Sequence, residues 1–186
     1  MKKIVIIGPE STGKSTLCEK LAAHYKTAWV QEYAREYLLK NSTDYTFENL
    51  LDVAKGQIAN EELTVDRLLL AGNPFSEQRT THNEQLVFID TDMYVMKVWC
   101  EFVFGKCHHW ILNRVVERKY DLYLLCNIDV PWVKDELREY PDLVIREKLY
   151  HHYKDIMVNQ NVPWVDISGG YEERLQKAIA AVDAII

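Results

Sequence analysis

Short apolar runs alternate along this 186-residue chain with stretches whose apolar residues return every three or four positions. Residues 3–7 (Lys-Ile-Val-Ile-Ile) are a β-branched run, the pattern of a buried central strand. After residues 8–13, Leu17, Leu21, Ala22 and Tyr25 recur at helical spacing. Residues 27–30 predict a second strand, ending at Gln31-Glu32, and residues 32–40 a short helix. Residues 47–71 carry Leu50, Val53, Ala54, Ile58 and Leu63 on one stripe, which predicts one long helix or two broken ones. Residues 73–85 are polar and turn-rich, a surface loop.

The second half repeats the pattern. Residues 86–89 (Leu-Val-Phe-Ile) predict a buried strand ending in Asp90-Thr91-Asp92. Residues 95–102 and 110–118 predict helices broken at Gly105-Lys106, and residues 121–126 another strand. Residues 131–141 are charged and mobile, 144–158 helical, and 162–167 a last strand interrupted by Pro163. Leu175, Ala178, Ile179 and Val182 mark a closing amphipathic helix. Strands alternating with helices predict an α/β three-layer sandwich: a parallel sheet of about five strands with helices on both faces. In such sheets ligands gather beyond the carboxyl ends of the strands. Those ends carry Glu32, Asp90, Asp92, Asn127 and Asp129.

Between the first strand and the first helix stands Gly-Pro-Glu-Ser-Thr-Gly-Lys-Ser (8–15), a complete Walker A phosphate loop in its proper context. Gly8 and Gly13 let the backbone approach phosphate closely. The turned N–H groups of Glu10, Ser11 and Thr12, with the positive end of the following helix, form an anion cradle. Lys14 reaches the β- and γ-phosphates, Ser15 ligates Mg²⁺, and Thr16 lies near the α-phosphate. ATP and Mg²⁺ are therefore the expected cofactors.

Composition changes this picture little. At 21.8 kDa the chain is the size of one domain, and its 48% hydrophobic and 27% charged residues are those of a soluble globular protein. A net charge of −6 speaks against a general nucleic-acid-binding surface. Cys18, Cys100, Cys107 and Cys126 lack CxxC spacing and read as reduced cytosolic thiols. Met1-Lys2-Lys3 and the apolar run behind it imitate a signal peptide, but the run stops at Gly8, too soon for one. No stretch is long enough to span a bilayer, so a cytoplasmic protein is expected. Adjacent histidines at 108–109 and 151–152 point apart on a helix and predict no structural zinc.

Phosphoryl transfer is mostly positioning and electrostatics: metal ligands, cations for the γ-phosphate and a base for the acceptor. Asp90 occupies the Walker B position and is the expected Mg²⁺ ligand. Asp92 serves the metal, the acceptor or a ribose, or else simply caps the next helix. Glu32 is either the base or a carboxylate drawn to a helix start. Arg35, one turn on, contacts phosphate or sugar, or makes a surface ion pair. Lys134, Arg138 and Arg146 mark a lid at about 130–147 closing over the phosphates, or a solvated loop. Residues 1–186 thus read as a single kinase domain.

The chain resembles a known family. The Walker loop with Thr16-Leu17, Glu-Tyr-Ala-Arg-Glu-Tyr (32–37), Asp-Thr-Asp (90–92) with Val98-Trp99, Tyr-Asp-Leu-Tyr-Leu-Leu-Cys (120–126), and Asp-Val-Pro-Trp-Val (129–133) with Leu137-Arg138 are similar to the ribosylnicotinamide kinase domain of the NadR-type NAD-salvage proteins. The resemblance spans nearly the whole chain. It implies a P-loop nucleoside-kinase fold and ATP-dependent phosphorylation of the 5′-hydroxyl of nicotinamide riboside, giving nicotinamide mononucleotide. Bifunctional members of that family add an adenylyltransferase domain, so this chain by itself is expected neither to make NAD nor to repress genes. Glu136 stands where the family tends to have glycine before Leu-Arg.

Nicotinamide riboside is a cation with a flat ring, which an aromatic wall binds by stacking and cation–π attraction. Tyr33, Tyr37, Trp99 and Trp132 are candidates, Trp99 and Tyr33 the preferred pair; each is equally a core aromatic. Glu32, Arg35 and Asp92 complete the expected acceptor site. The adenine is expected at Ser168-Gly169-Gly170, a stretch that is also a plain strand-to-helix turn. A kinase for another nucleoside or a nucleoside monophosphate, and a nucleotide-binding switch without transfer, remain open alternatives.

Overall fold

The computed structural model describes residues 1–41, 44–71 and 85–186. The elements run β1 (Lys2–Ile7), α1 (Lys14–Tyr25), β2 (Trp29–Val30), α2 (Tyr33–Asn41), α3 (Phe47–Ala71) and β3 (Leu86–Asp90). They continue with α4 (Met93–Phe104), α5 (His109–Glu117), β4 (Leu122–Cys126), α6 (Leu143–Asn159), β5 (Trp164–Ile167) and α7 (Tyr171–Asp183). The five strands form one parallel sheet in the order β2-β3-β1-β4-β5. This is the P-loop α/β sandwich that the alternating pattern predicts.

Side chains of β1 alternate between two cores, as the two-residue period of a strand requires. Ile4 and Ile6 pack with Leu17 and Leu21 of α1 and with Ala178 and Val182 of α7. Val5 and Ile7 pack on the other face with Val95 and Val98 of α4 and Leu149 and Tyr153 of α6. Burial of each large apolar side chain contributes about 1.5–3 kcal/mol. Because helices cover both faces, the inner strands read as unbroken apolar runs. A third core joins α3, α4 and α5 through Leu50, Val53, Met96 and Ile111.

Several boundaries differ from the sequence expectation for local reasons. The second strand is shorter than 27–30, because Thr27 is spent closing α1: its N–H donates to Ala22 O at 2.9 Å, after Lys26 in a left-handed conformation. The 47–71 segment is one unbroken helix. Gly56 within it lies under the Tyr33 ring, where an added Cβ would meet Cε1 at 2.0 Å. β5 starts at Trp164, since Pro163 has no N–H; its carbonyl still accepts from Tyr123 N at 2.9 Å. The expected loop at 73–85 lies outside the described residues except for Gln85. Among the described residues no helix is long and apolar enough to cross a membrane.

The order of the sheet positions the site. β1 lies between β3 and β4, with Ile6 opposite Asp90 and Leu124. The turns that leave β1 and β3 therefore emerge side by side at the carboxyl edge, where ligands bind in open α/β sheets.

Candidate active site

The loop after β1 has the backbone an anion cradle needs. Gly8 has φ +137°, and a Cβ there would stand 2.7 Å from the Cys126 carbonyl. Gly13, also at positive φ, precedes α1. The first N–H groups of α1 thus face the loop without helical partners. The Thr12 hydroxyl donates to Pro9 O at 2.8 Å and Lys14 Nζ to the same carbonyl at 3.0 Å, which draws the lysine over the loop.

A cavity of roughly 260 Å³ opens from this loop. Its floor is the loop from Gly8 to Thr16; Glu32, Arg35 and Leu38 line one side, Val95, Val98, Trp99 and Phe102 of α4 another, and residues 137–140 the roof. The structure brings together there most of the residues singled out by the sequence.

Ser15 reaches Asp90 beneath the cavity, its hydroxyl donating to Oδ2 at 2.5 Å. Asp90 is wholly buried, and among the described residues its Oδ1 has no hydrogen-bond partner. Burial, then the negative charge of Glu32, pushes the Asp90 carboxyl above the usual range, while Lys14 and the Ser15 hydroxyl pull it back. A buried carboxylate oxygen with no donor, beside a hydroxyl and a lysine-lined phosphate loop, fits a divalent cation. One or two protein oxygens with phosphate and water as the remaining ligands is the usual coordination of Mg²⁺.

Glu32 leaves β2 and faces the cavity, accepting from the Thr91 hydroxyl at 3.3 Å. Its position is fixed by Gln57 of α3, a residue with no signal in the sequence. Gln57 is 2% exposed; its Oε1 accepts from Tyr33 N at 2.7 Å. Its Nε2 donates to Asp90 O at 3.0 Å and Thr91 O at 2.9 Å. One amide thereby ties the Glu32 segment to the Asp90 turn, where Thr91 holds the unusual φ of +76°.

Other expected residues stand elsewhere. Asp92 does not line the cavity: it is the N-cap of α4, 2% exposed, accepting from Tyr94 N, Val95 N and the Tyr123 hydroxyl. Three donors hold its carboxylate in place, and burial raises it to about 7. Tyr33 does not line the cavity either, because its ring fills the space over Gly56. Trp132 turns its indole N–H to Glu10 at 3.2 Å. The Ser168–Gly169 turn also lies off the cavity lining. Ser168 is held by Lys177, and Gly169 N–H donates to Asp129, itself paired with the buried Arg174.

Of the three cations expected in a lid at about 130–147, Lys134 is exposed, and Arg138 lines the cavity and donates to Val133 O within that segment. Arg146 is buried, donating to Ile128 O and Val130 O at 3.4 Å. Arg35 of α2 pairs with Asp135 of the same segment at 3.1 Å. The apolar wall of Val95, Val98, Trp99 and Phe102 repeats at i, i+3, i+4 and i+7. That spacing was visible in the sequence, but it does not distinguish a core face from a pocket face.

Comparison with known proteins gives the family and the fold. A family model described as an AAA domain matches residues 3–174. The trifunctional NAD biosynthesis/regulator protein NadR of Salmonella typhimurium is 26% identical over 183 residues, and that of Escherichia coli 27%. These alignments take in 98% of this chain but only 42% of each relative, so the chain spans less than half their length. Among solved structures, a NadR protein in complex with NR superposes with a TM-score of 0.76 at 22% identity. One in complex with NAD and AMP-PNP superposes with a TM-score of 0.68 at 21% identity; each covers 99% of this chain and 49% of the other. The chain is a homologue of NadR and belongs to the AAA domain family of P-loop proteins.

Proposed function

We propose that this chain is a ribosylnicotinamide kinase, a single P-loop domain at 1–186 with a lid at about 130–147. It transfers the γ-phosphoryl group of ATP to the 5′-hydroxyl of nicotinamide riboside, giving nicotinamide mononucleotide for cytoplasmic NAD salvage. The observation that carries the reading is the convergence on one cavity of the phosphate loop, Glu32 and the Trp99 wall, with the Ser15–Asp90 pair below it. The NadR relatives, and the fold shared with a NadR protein in complex with NR, support the choice of acceptor.

The chain's own residues divide the work. The loop N–H groups and Lys14 hold the phosphates. Ser15 and Asp90 would hold Mg²⁺, which when bound would supply positive charge against the phosphates. The acceptor O5′–P bond forms as the bond from phosphorus to the bridging oxygen of ADP breaks, and Glu32 takes the hydroxyl proton. Arg138 and Arg35 offset negative charge at the mouth, and the Trp99 face stacks on the cationic ring. Asp92, buried and held by three donors, sets the start of α4 and with it the direction of that wall.

The test is a panel of acceptors presented with Mg·ATP. Nicotinamide riboside should give the highest kcat/KM, with nicotinamide mononucleotide as product. Preference for thymidine or a monophosphate would move the reading to another acceptor, and ATP binding without any phosphorylated product would make the chain a nucleotide switch.

A further inference from the structure

Glu10 belongs to the phosphate loop in sequence, yet its carboxylate serves the lid. Its Oε1 accepts from the Trp132 indole at 3.2 Å and from Tyr140 N at 2.6 Å, and its Oε2 from Glu139 N at 3.0 Å. The neighbouring Ser11 hydroxyl oxygen accepts from Val133 N at 2.9 Å. A carboxylate in a phosphate loop would repel a triphosphate; these three donors turn it toward the roof and occupy it there.

The same roof touches the acceptor wall. Trp99 Nε1 donates to the Tyr45 hydroxyl at 2.9 Å, and that hydroxyl donates to Glu139 Oε2 at 2.9 Å. The Tyr45 and Trp99 rings meet edge to face, with centroids 5.1 Å apart. An unbroken chain of hydrogen bonds thus runs from the cavity wall, through Tyr45 and Glu139, to Glu10 in the phosphate loop. Neither Tyr45 nor the Glu139 side chain is given a transfer role above: their hydrogen bonds run to each other and to Trp99.

We propose that Tyr45 and Glu139 are positioning residues that make lid closure depend on the acceptor, with Glu10 as the latch. This rests on the kinase reading above. A nucleoside packed against Trp99 holds its indole on Tyr45, and thereby Tyr45 on Glu139 and the Glu139 N–H on Glu10, the contacts seen in the structure. The lid closes firmly over ATP only when an acceptor hydroxyl is in place. Without that coupling, water reaches the γ-phosphorus: the water oxygen forms the new bond, ADP leaves, and phosphate is released in place of a nucleotide.

The experiment counts ADP and phosphorylated nucleoside in the same reaction for wild type, Tyr45→Phe, Glu139→Ala and Glu139→Gln. Wild type should form the two in nearly equal amounts, with a small excess of ADP. Tyr45→Phe and Glu139→Ala should raise that excess of ADP over product, per product formed, by about five- to tenfold, the change that one hydrogen bond of ordinary strength carries. Glu139→Gln, which keeps an acceptor for Tyr45, should restore the wild-type ratio. An unchanged ratio in Tyr45→Phe overturns the coupling and leaves the kinase reading intact. A second arm follows tryptic cleavage after Lys134 and Arg138 with Mg·AMP-PNP bound. Nicotinamide riboside should slow cleavage in wild type and not in Tyr45→Phe, and equal slowing in both overturns the coupling even if no acceptor is turned over. Absence of any phosphorylated nucleoside from wild type counts against the kinase reading alone.

Discussion

The Ser15 hydroxyl donates to Asp90 across 2.5 Å, although the two residues lie 75 positions apart. The contact follows from the sheet: β1 pairs with β3, Ile6 stands opposite Asp90, and Thr91 N continues the ladder to Ile6 O at 3.2 Å. The phosphate loop and the acidic turn are thus held in one frame by backbone hydrogen bonds. The second oxygen of Asp90 has no hydrogen-bond partner among the described residues.

If that oxygen holds Mg²⁺, Asp90→Asn should keep the fold, since the amide oxygen still accepts from Ser15, and should weaken the metal. Outer-shell changes alone cost about 10- to 100-fold in metal affinity, and loss of a direct ligand should cost at least that. Titration of activity against Mg²⁺ checks this; an unchanged midpoint contradicts the assignment.

Lys14→Ala should reduce kcat by about 10²–10³, the usual loss when a preorganised charge donor to the transferring group is removed. Initial rates measured with calorimetric ATP binding give both parts of the effect. Near wild-type turnover would mean that Lys14 does not meet the γ-phosphate.

Glu32 and Asp92 separate cleanly in a paired test. Glu32→Gln should lower kcat by about 10²–10⁴, the range for a general base. Asp92→Asn keeps an oxygen for Tyr94 N and Val95 N and should change kcat by no more than about threefold, because a preserved N-cap costs little. The opposite ranking would hand the proton to Asp92.

Gln57→Leu tests the clamp beneath Glu32. It leaves Tyr33 N, Asp90 O and Thr91 O without their side-chain partner in a buried place. Each orphaned group costs about 1–3 kcal/mol, so denaturant unfolding should register a loss of roughly 3 kcal/mol or more. A loss under about 1 kcal/mol would show that the clamp is dispensable.

Burial pushes the Cys100 and Cys126 thiols up to about 12 and raises Cys18 well above its ordinary value. Half-buried Cys107 is raised as well, again chiefly by burial. All four are therefore protonated at pH 8, and the reactive thiolate grows only as pH rises toward those values. Iodoacetamide on native protein at pH 8 should modify Cys107 slowly and spare the other three, whereas unfolded protein should take up four labels. Fast native labelling of Cys18 or Cys126 would contradict the packing of α1 against β4.

Features written within a few residues were legible in the sequence. The phosphate loop and Asp90 each sit at the end of an apolar run, so strand, turn and helix declare them locally. Trp99 was legible as an α4 residue behind the acidic turn. What escaped depends on partners far along the chain. Asp92 reads equally as cap or base until Tyr123 of β4 is seen to occupy its outer oxygen. Glu10 looks like a phosphate-loop residue until Trp132, Glu139 and Tyr140, more than 120 positions away, are found on its carboxylate. Gln57 carries no pattern at all: a polar residue on a mostly apolar helix becomes informative only once its burial is known.

The central claim is that the γ-phosphoryl group of ATP goes to a nucleoside hydroxyl held beside Glu32. The most direct measurement supplies ATP labelled at the γ-phosphorus together with nicotinamide riboside and Mg²⁺, and follows the label. Recovery of the label in nicotinamide mononucleotide, one for each ADP formed, is the predicted result. Label found only in ATP or in free phosphate, from folded protein that binds Mg·ATP, would contradict it.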